Sequence, residues 1–313
     1  MTTLSIQDTL AQHLVEYDAF RRELAGLYER QGATLERKEM AWAMGTTWGY
    51  WLAKWHGMRP RAERSAASIG EDEIRIFYEL AQLTRPSSSL VIGHSFGLST
   101  FCLALASPES RVVAIDNWGD GDTSFIARPL SEAIIADEGL SHRVYVHAGT
   151  SPADTSEALH RGGVDATLDL AFIDGLHNDE AAVADFHGLV PHLSPRSIVL
   201  WHNVHRTVNA FTAGTATTNA WFDQRHVLRT HGPLGIHFSS HEHPLLHSYL
   251  TNQSLIWPEW ERFIHLTTHE DELRRFEAMQ RSAAWKIIAK VSRPLRRMLS
   301  TRVHNSAPAP RDL

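Results

Sequence analysis

Residues 90–100 read LVIGHSFGLST: a short apolar run, a segment bounded by two glycines, and the start of a helical pattern. Along the rest of the chain, short apolar runs alternate with helical stretches, and these runs, including the first, are residues 90–92, 111–115, 143–146, 168–173 and 197–201. This alternation predicts an α/β fold with a doubly wound, mostly parallel sheet covered by helices on both faces. The crossovers between its strands are expected to be right-handed.

The residues before this stretch read differently. Apolar residues recur there at helical spacing, namely Leu10, Leu14, Tyr17, Leu24 and Leu27. We therefore predict that residues 1 to about 65 are helical. Trp48, Trp51 and Trp55 would then share one helical face, and we interpret them as core-facing rather than as a sugar platform or a membrane-interface belt.

Three further segments have simpler patterns. Residues 71–83 have the pattern of a helix, and residues 235–240 and 246–250 are predicted to be further strands.

Composition narrows the class of protein. The chain has 313 residues, of which 43% are hydrophobic and 21% charged, which is ordinary globular composition. Its single cysteine, Cys102, excludes an intrachain disulfide and a cysteine-based zinc site. Neither a signal peptide nor an apolar run of about 20 residues is evident, so we expect a cytoplasmic enzyme or binding protein.

Charge is distributed unevenly along the chain. From Arg281 onward there are eight basic residues and one acidic residue, whereas the first 280 residues hold 22 basic and 35 acidic ones. Apolar residues between 284 and 298 recur at +3 and +4 with basic residues between them, which predicts a basic amphipathic helix. Such a helix binds an anionic membrane surface or a partner, or packs on the acidic body. The acidic body argues against nucleic acid as a partner.

The glycine-bounded segment, Gly93-His94-Ser95-Phe96-Gly97, has two interpretations. It matches a G-x-S-x-G nucleophile elbow, in which Ser95 would be the nucleophile of a serine hydrolase and Asp174 and His202 would complete its triad. Alternatively, it is a cofactor-binding loop at the end of the first strand of the sheet, where glycines permit a tight turn and helix N–H groups face the ligand. The helical pattern of the preceding residues favours the second interpretation.

Asp116 strengthens that interpretation. It ends the second strand of the sheet, 23 residues after Gly93, where a carboxylate can accept hydrogen bonds from ribose hydroxyls. We expect Gly93, His94, Gly97, Asp116 and Asn117 to line the cofactor site.

Four segments together resemble class I S-adenosylmethionine-dependent methyltransferases: LVIGHSFGLST, VVAIDNW, LAFIDGLHNDEAAVADF and LSPRSIVLWHNV. The last two segments resemble a branch of that family that has an acid-Gly-x-His segment. That branch includes O-methyltransferases that act on sugars and natural products, and several of them are metal-dependent. The resemblance spans about residues 70–250 and implies a Rossmann-like fold. It also implies that Gly149 and Thr150, after the third strand of the sheet, border the adenine ring.

The ends of two later strands are predicted to carry the chemistry. Asp174 and His202-Asn203 should meet at the carboxyl edge of the sheet. Asp174, His202 and Asn203 are the candidate metal site, in which the oxygens of Asp174 and Asn203 suit Mg²⁺. His177 is the candidate general base, because a sugar hydroxyl must lose a proton and imidazole titrates near neutrality.

The sequence thus predicts an S-adenosylmethionine-dependent methyltransferase that acts on a hydroxyl. The expected acceptor is a sugar of a glycan or glycosylated product. The alternatives are the Ser95 hydrolase and a non-catalytic S-adenosylmethionine-binding protein. The predicted organisation is a helical region over 1–68, the methyltransferase domain over 69–252 and a helical basic tail over 253–313. A homo-oligomer and peripheral contact with the inner face of the membrane are further expectations.

Overall fold

The computed structural model describes residues 6–42, 45–54, 67–119, 124–207, 209–212, 221–230 and 232–256. The chain divides into two compact units, Met1–Trp260 and Glu261–Leu313, and the second lies outside the described residues. The predicted basic helix over 284–298 falls in that second unit. What the basic helix binds therefore stays a prediction. The oligomeric state and the three predicted domains also stay predictions.

The N-terminal part combines one helix with a small antiparallel sheet. Helix α1 spans Ile6–Arg30, as its apolar spacing predicted. Three strands follow in the order β1-β2-β3, formed by Thr34–Trp42, Gly45–Lys54 and Ala67–Gly70.

The predicted helix over the tryptophan-rich residues is wrong. Trp48 and Trp51 lie in strand β2, so the helix that would have placed them on one face is not formed. Thr46-Thr47-Trp48-Gly49-Tyr50-Trp51 is rich in β-branched and aromatic residues, which favour strands, and pairing with β1 and β3 overrides the helical spacing. Trp55 lies outside the described residues.

The central sheet contains seven strands in the order β6-β5-β4-β7-β8-β10-β9. Strands β4 to β8 are parallel, and β10 is antiparallel to both β8 and β9. The strands are Ser88–Ile92 (β4), Arg111–Asp116 (β5), Val144–Ala148 (β6), Leu170–Ile173 (β7), Ile198–Trp201 (β8), Gln224–Leu228 (β9) and Leu234–Phe238 (β10). The mostly parallel Rossmann-like sheet predicted from residue 90 onward is confirmed.

Helices connect and cover these strands. They are Glu71–Thr84 (α2), Leu98–Ala106 (α3), Ser124–Asp137 (α4), Thr155–Arg161 (α5), Asp179–Leu189 (α6) and Pro244–Asn252 (α7). The last corrects the predicted strand over 246–250: Pro244 stands in the first helical turn, where its fixed φ is favourable, and Leu246 and Leu250 face the core four residues apart. None of the helices in the described ranges is long and apolar enough to span a bilayer.

Both faces of the sheet are buried, which explains the continuous apolar runs. Along β4, Leu90 and Ile92 join one core cluster while Val91 joins the other. Each such side chain contributes roughly 1.5–3 kcal/mol when fully buried. Helix α1 packs into the cluster that contains Val91, through Leu24 and Leu27, so it belongs to the same core as the sheet.

The parallel arrangement brings the predicted site to one edge of the sheet. Asp174 N–H donates to Ile92 O at 2.8 Å, and His202 N–H donates to Ile173 O at 3.0 Å, so the residues after β4, β7 and β8 continue the ladder. The carboxyl ends of these strands are therefore neighbours, as the sequence predicted.

Candidate active site

The loop after β4 is held from both sides. Gly93 has φ +92°, and a Cβ there would lie 2.1 Å from the backbone oxygen of Asp174. Gly97 has φ +93° at the N-cap of α3, and its Cβ would lie 2.4 Å from the Phe101 ring. On the other side, the Tyr28 hydroxyl of α1 donates to Phe96 O at 3.1 Å. The positive φ values agree with the tight turn predicted from the sequence, and the glycines are also required for contacts within the protein. Their approach to a ligand stays a prediction.

Asp116 joins this loop to the end of β5. Its carboxylate accepts hydrogen bonds from the backbone N–H groups of Ser95 and Trp118, both at 2.6 Å. A carboxylate has about four acceptor positions, so further donors can still bind it. The neighbouring Asn117 side chain accepts from Gly119 N–H at 2.8 Å and shapes the turn. The predicted proximity of the glycine loop and the acid is therefore present in the structure.

His94 lies beneath the loop rather than on its surface. Its Nδ1 lies 2.8 Å from Thr100 Oγ1 and its Nε2 lies 2.9 Å from Ser131 Oγ. Burial lowers the pKa of His94 to about 3, so the ring is neutral. Both ring nitrogens are committed to the protein, and the side chain supports the loop from the core.

Gly149 and Thr150 extend the same edge beyond Asp116. Gly149 N–H donates to Asp116 O at 3.1 Å, and Thr150 N–H donates to Asp154 Oδ2 at 2.7 Å. A Cβ at Gly149 would lie 2.5 Å from Asp154 Oδ2 and 2.6 Å from the His147 ring. These residues lie beside Asp116, and their contact with adenine stays a prediction.

Asp174 is the centre of a second cluster, at the ends of β7 and β8. Its Oδ1 lies 2.9 Å from His177 Nε2 and 2.5 Å from His202 Nδ1. The Asn203 side-chain nitrogen lies 3.1 Å from His202 Nδ1, and Asn203 itself has a left-handed backbone with φ 51°. All four residues predicted to carry the chemistry are thus brought together.

One member of this cluster was missed by sequence reasoning. Glu73, at the third position of α2, is completely buried, and its Oε1 lies 3.3 Å from His202 Nε2. Its other oxygen accepts the Gly70 N–H at 2.6 Å, which is one half of a capping box, since glycine has no side chain to complete the other half. The only sequence signal was the acid at the third helical position, which predicts a cap but not a contact with β8.

The charges of the cluster support one another. Burial lowers the pKa of His202, but Asp174 and Glu73 outweigh it, and the pKa of His202 lies well above its usual value. Burial likewise raises the pKa of Asp174, but His202 and His177 outweigh it and hold that pKa below its usual value. The cluster therefore contains an imidazolium between two carboxylates at neutral pH.

The stability of the protein should depend on pH through His202. A raised folded-state pKa gives stabilisation that is fully present below about pH 6.5, the unfolded value, and is lost as pH rises through the folded pKa. We expect the free energy of unfolding of the wild type, measured by urea titration, to fall as the pH rises from about 6.5 through the folded pKa of His202. The same fall should be absent in His202→Gln. Identical slopes in the two proteins would contradict the imidazolium assignment.

Asp174, His177 and His202 each offer a metal-ligand atom, and these atoms lie within 4.8 Å of one another. Two imidazole nitrogens and one carboxylate are not the oxygen set that Mg²⁺ prefers. The donor set therefore does not fit Mg²⁺, and no step of the reaction below uses it.

Ser95 lacks the surroundings of a hydrolytic nucleophile. Its backbone bonds to Asp116 and to the Trp118 indole, and among the described residues no histidine is hydrogen-bonded to its hydroxyl. His202, the histidine that the elbow interpretation required, is bound between Asp174 and Glu73. The geometry gives the hydrolase alternative no support.

Residues 90–204 match the model of a family described as a methyltransferase domain. An uncharacterized protein, y4gI of Sinorhizobium fredii (strain NBRC 101917 / NGR234), is 28% identical over 137 residues, which are 42% of this chain and 15% of that protein. The match thus spans under a sixth of that relative's length. The residues that match the family model are those that form β4 to β8 and the segments between them.

Two solved structures are similar to slightly more than half of the chain. An O-methyltransferase from Bacillus cereus in complex with SAH is 18% identical, covers 57% of this chain and 86% of its own, and has a TM-score of 0.45. The O-methyltransferase TomG from Streptomyces achromogenes in complex with SAM is 20% identical, with 56% and 82% covered and a TM-score of 0.44.

Proposed function

We propose that this protein transfers a methyl group from S-adenosylmethionine to a hydroxyl group. The acceptor that we propose is a sugar in a glycan or glycosylated product. The observation that carries the proposal is the His177–Asp174 pair, which lies at the carboxyl edge of a sheet whose residues 90–204 match a methyltransferase domain. A carboxylate-oriented imidazole at this edge is suited to take a proton from an acceptor hydroxyl.

The other half of the edge is suited to hold the cofactor. The half-buried Asp116 carboxylate is fixed by two backbone N–H groups and keeps acceptor capacity for ribose hydroxyls. The loop 93–97 and Gly149 flank it. When bound there, S-adenosylmethionine supplies a methyl group attached to a positively charged sulfur.

His177 can act as the base through one defined nitrogen. Its Nε2 lies against Asp174 Oδ1, and in the described part of the chain its Nδ1 makes no hydrogen bond. With Nε2–H donated to Asp174, the Nδ1 lone pair takes the hydroxyl proton while the acceptor oxygen bonds to the methyl carbon and the bond from sulfur to that carbon breaks. The side chain is 29% exposed, so an acceptor can reach it.

Asp116→Ala tests cofactor binding. We expect S-adenosylmethionine to bind more weakly by about 1.5–3 kcal/mol, since hydrogen bonds to a charged group are lost. Isothermal titration calorimetry measures the effect, and a folded mutant with an unchanged dissociation constant would remove Asp116 from the site.

Asp165→Ala is the matched control, because this acid is 73% exposed and paired with His160 at the opposite edge of the sheet. It should bind the cofactor as the wild type does. Wild-type protein that binds no S-adenosylmethionine would refute the proposed function itself. Binding without transfer to any member of a panel of free, nucleotide-linked and glycan sugars would leave the non-catalytic alternative.

A further inference from the structure

Glu73 is buried more deeply than helix capping requires. Its side chain is 0% exposed, although an exposed glutamate at this helical position can cap equally well. Taking a carboxylate out of water is costly unless charged or hydrogen-bonded partners compensate. The cost indicates a second role for this residue.

The contacts of Glu73 connect three distant segments. Oε2 accepts from Gly70 N–H at the start of α2. Oε1 accepts from Gly232 N–H, between β9 and β10, at 3.0 Å. The same oxygen lies 3.3 Å from His202 Nε2, an ion-pair distance at the end of β8. Glu73 thereby contacts the His202 ring at Nε2, whereas Asp174 contacts it at Nδ1.

His202 and His177 meet at a single atom. Both approach Asp174 Oδ1, at 2.5 and 2.9 Å, and their ring centroids are 5.5 Å apart. A rotation of His202 would therefore move the carboxylate oxygen that orients His177. Glu73 opposes that rotation through the ion pair at the second nitrogen of the His202 ring, a contact of 3.3 Å without hydrogen-bond geometry.

We propose that Glu73 is a positioning residue for methyl transfer: through His202 and Asp174 it sets the orientation of His177. This inference rests on the proposed function, in which His177 takes the proton. Glu73 itself does not contact the acceptor, since it lies behind His202 and is fully buried.

Glu73→Gln tests the inference, because it keeps the size of the side chain and removes its charge. Glu79→Gln is the matched control: Glu79 is on the same helix, is also buried at 5% exposure, and lies 3.7 Å from Arg75. Long-range ¹H–¹⁵N spectra of the histidine rings, recorded on the full-length protein without acceptor, report ring orientation and bonding directly. We expect the signals of His202 and His177 to move in Glu73→Gln and to stay in place in Glu79→Gln.

Turnover supplies the second measurement. We expect kcat to fall roughly 10- to 100-fold in Glu73→Gln, the range seen when a partner that orients a functional histidine is lost. The dissociation constant for S-adenosylmethionine should stay within about twofold, since Asp116 and its loop are untouched. Glu79→Gln should keep wild-type kcat.

Gly232→Ala perturbs the same place without changing any charge. A Cβ there would lie 2.6 Å from Asn203 Oδ1, 2.7 Å from His202 Nε2 and 3.1 Å from Glu73 Oε1, so these side chains or the backbone at 232 must shift and the contact between Glu73 and His202 is perturbed. If Glu73→Gln does not fold, this variant tests whether the contact between Glu73 and His202 sets the orientation of His177. His177 signals that remain at their wild-type positions in the folded variants, or an unchanged kcat, would overturn the inference. Full turnover in His177→Ala would instead refute the base assignment, while the ring signals would still show whether Glu73 orients the pair.

Discussion

His177→Ala is expected to lower kcat by about 10²- to 10⁴-fold, the contribution typical of a positioned general base. The acceptor hydroxyl would then have to lose its proton to water, without the imidazole that Asp174 holds at 2.9 Å. Affinity for S-adenosylmethionine should barely change, because the side chain lies at the end of β7 and the predicted cofactor residues lie at the ends of β4, β5 and β6. Steady-state kinetics and calorimetry together separate the two effects.

His187→Ala is the control for removing a histidine. His187 is exposed in the last turn of α6, the helix that follows the His177 loop, and it should keep wild-type turnover. Asp174 remains bound to His202 in the His177 variant, so the fold should be retained. Full activity of His177→Ala toward an acceptor that the wild type methylates would leave the base assignment without support.

Gly93→Ala is expected to destabilise the protein by about 2–6 kcal/mol. Part of this is the φ of +92°, which costs a residue with a side chain about 1–3 kcal/mol. The rest is steric, since a Cβ 2.1 Å from the backbone oxygen of Asp174 forces β4 and β7 apart, and overpacking costs about 1–3 kcal/mol. Urea unfolding measures the change in the free energy of unfolding.

Gly139→Ala separates the two contributions. Gly139 also has a positive φ, +66°, but apart from its two chain neighbours no atom of the described residues lies within 4 Å of the position of its Cβ. It should therefore show only the conformational cost, about 1–2 kcal/mol. If both variants lose equal stability, the contact with Asp174 contributes nothing and Gly93 is required only for the turn.

Local sequence patterns were sufficient for the five parallel strands of the central sheet, but they did not indicate β9, its edge strand. Strands buried on both faces appear as uninterrupted apolar runs, and β4 to β8 were placed within two residues for that reason. The ends of parallel strands meet at one edge, so the sequence alone predicts that Asp116, Asp174, His177 and His202 lie in one region. Both statements depend only on the order and period of nearby residues.

The N-terminal strands show where such patterns stop. Trp48 and Trp51 at +3 fit a helix as well as they fit a strand, because a few residues do not distinguish the two periods. Pairing of β2 with β1 and β3 decided between them, and that pairing joins residues as far apart as Gly49 and Gly70. The same ambiguity led to the wrong strand at 246–250.

The amino-acid sequence by itself determined the parallel sheet, the glycine loop and the identities of the residues at the strand ends, because apolar periodicity and strand termini are local properties. Only the tertiary structure decided how those residues bond. It placed Gly93 against the backbone of Asp174, turned His94 into the core, and joined Glu73 to His202 and Gly232. Glu73 and Gly232 are 159 residues apart, and contacts between such distant residues follow from how the folded elements pack, which no local pattern encodes.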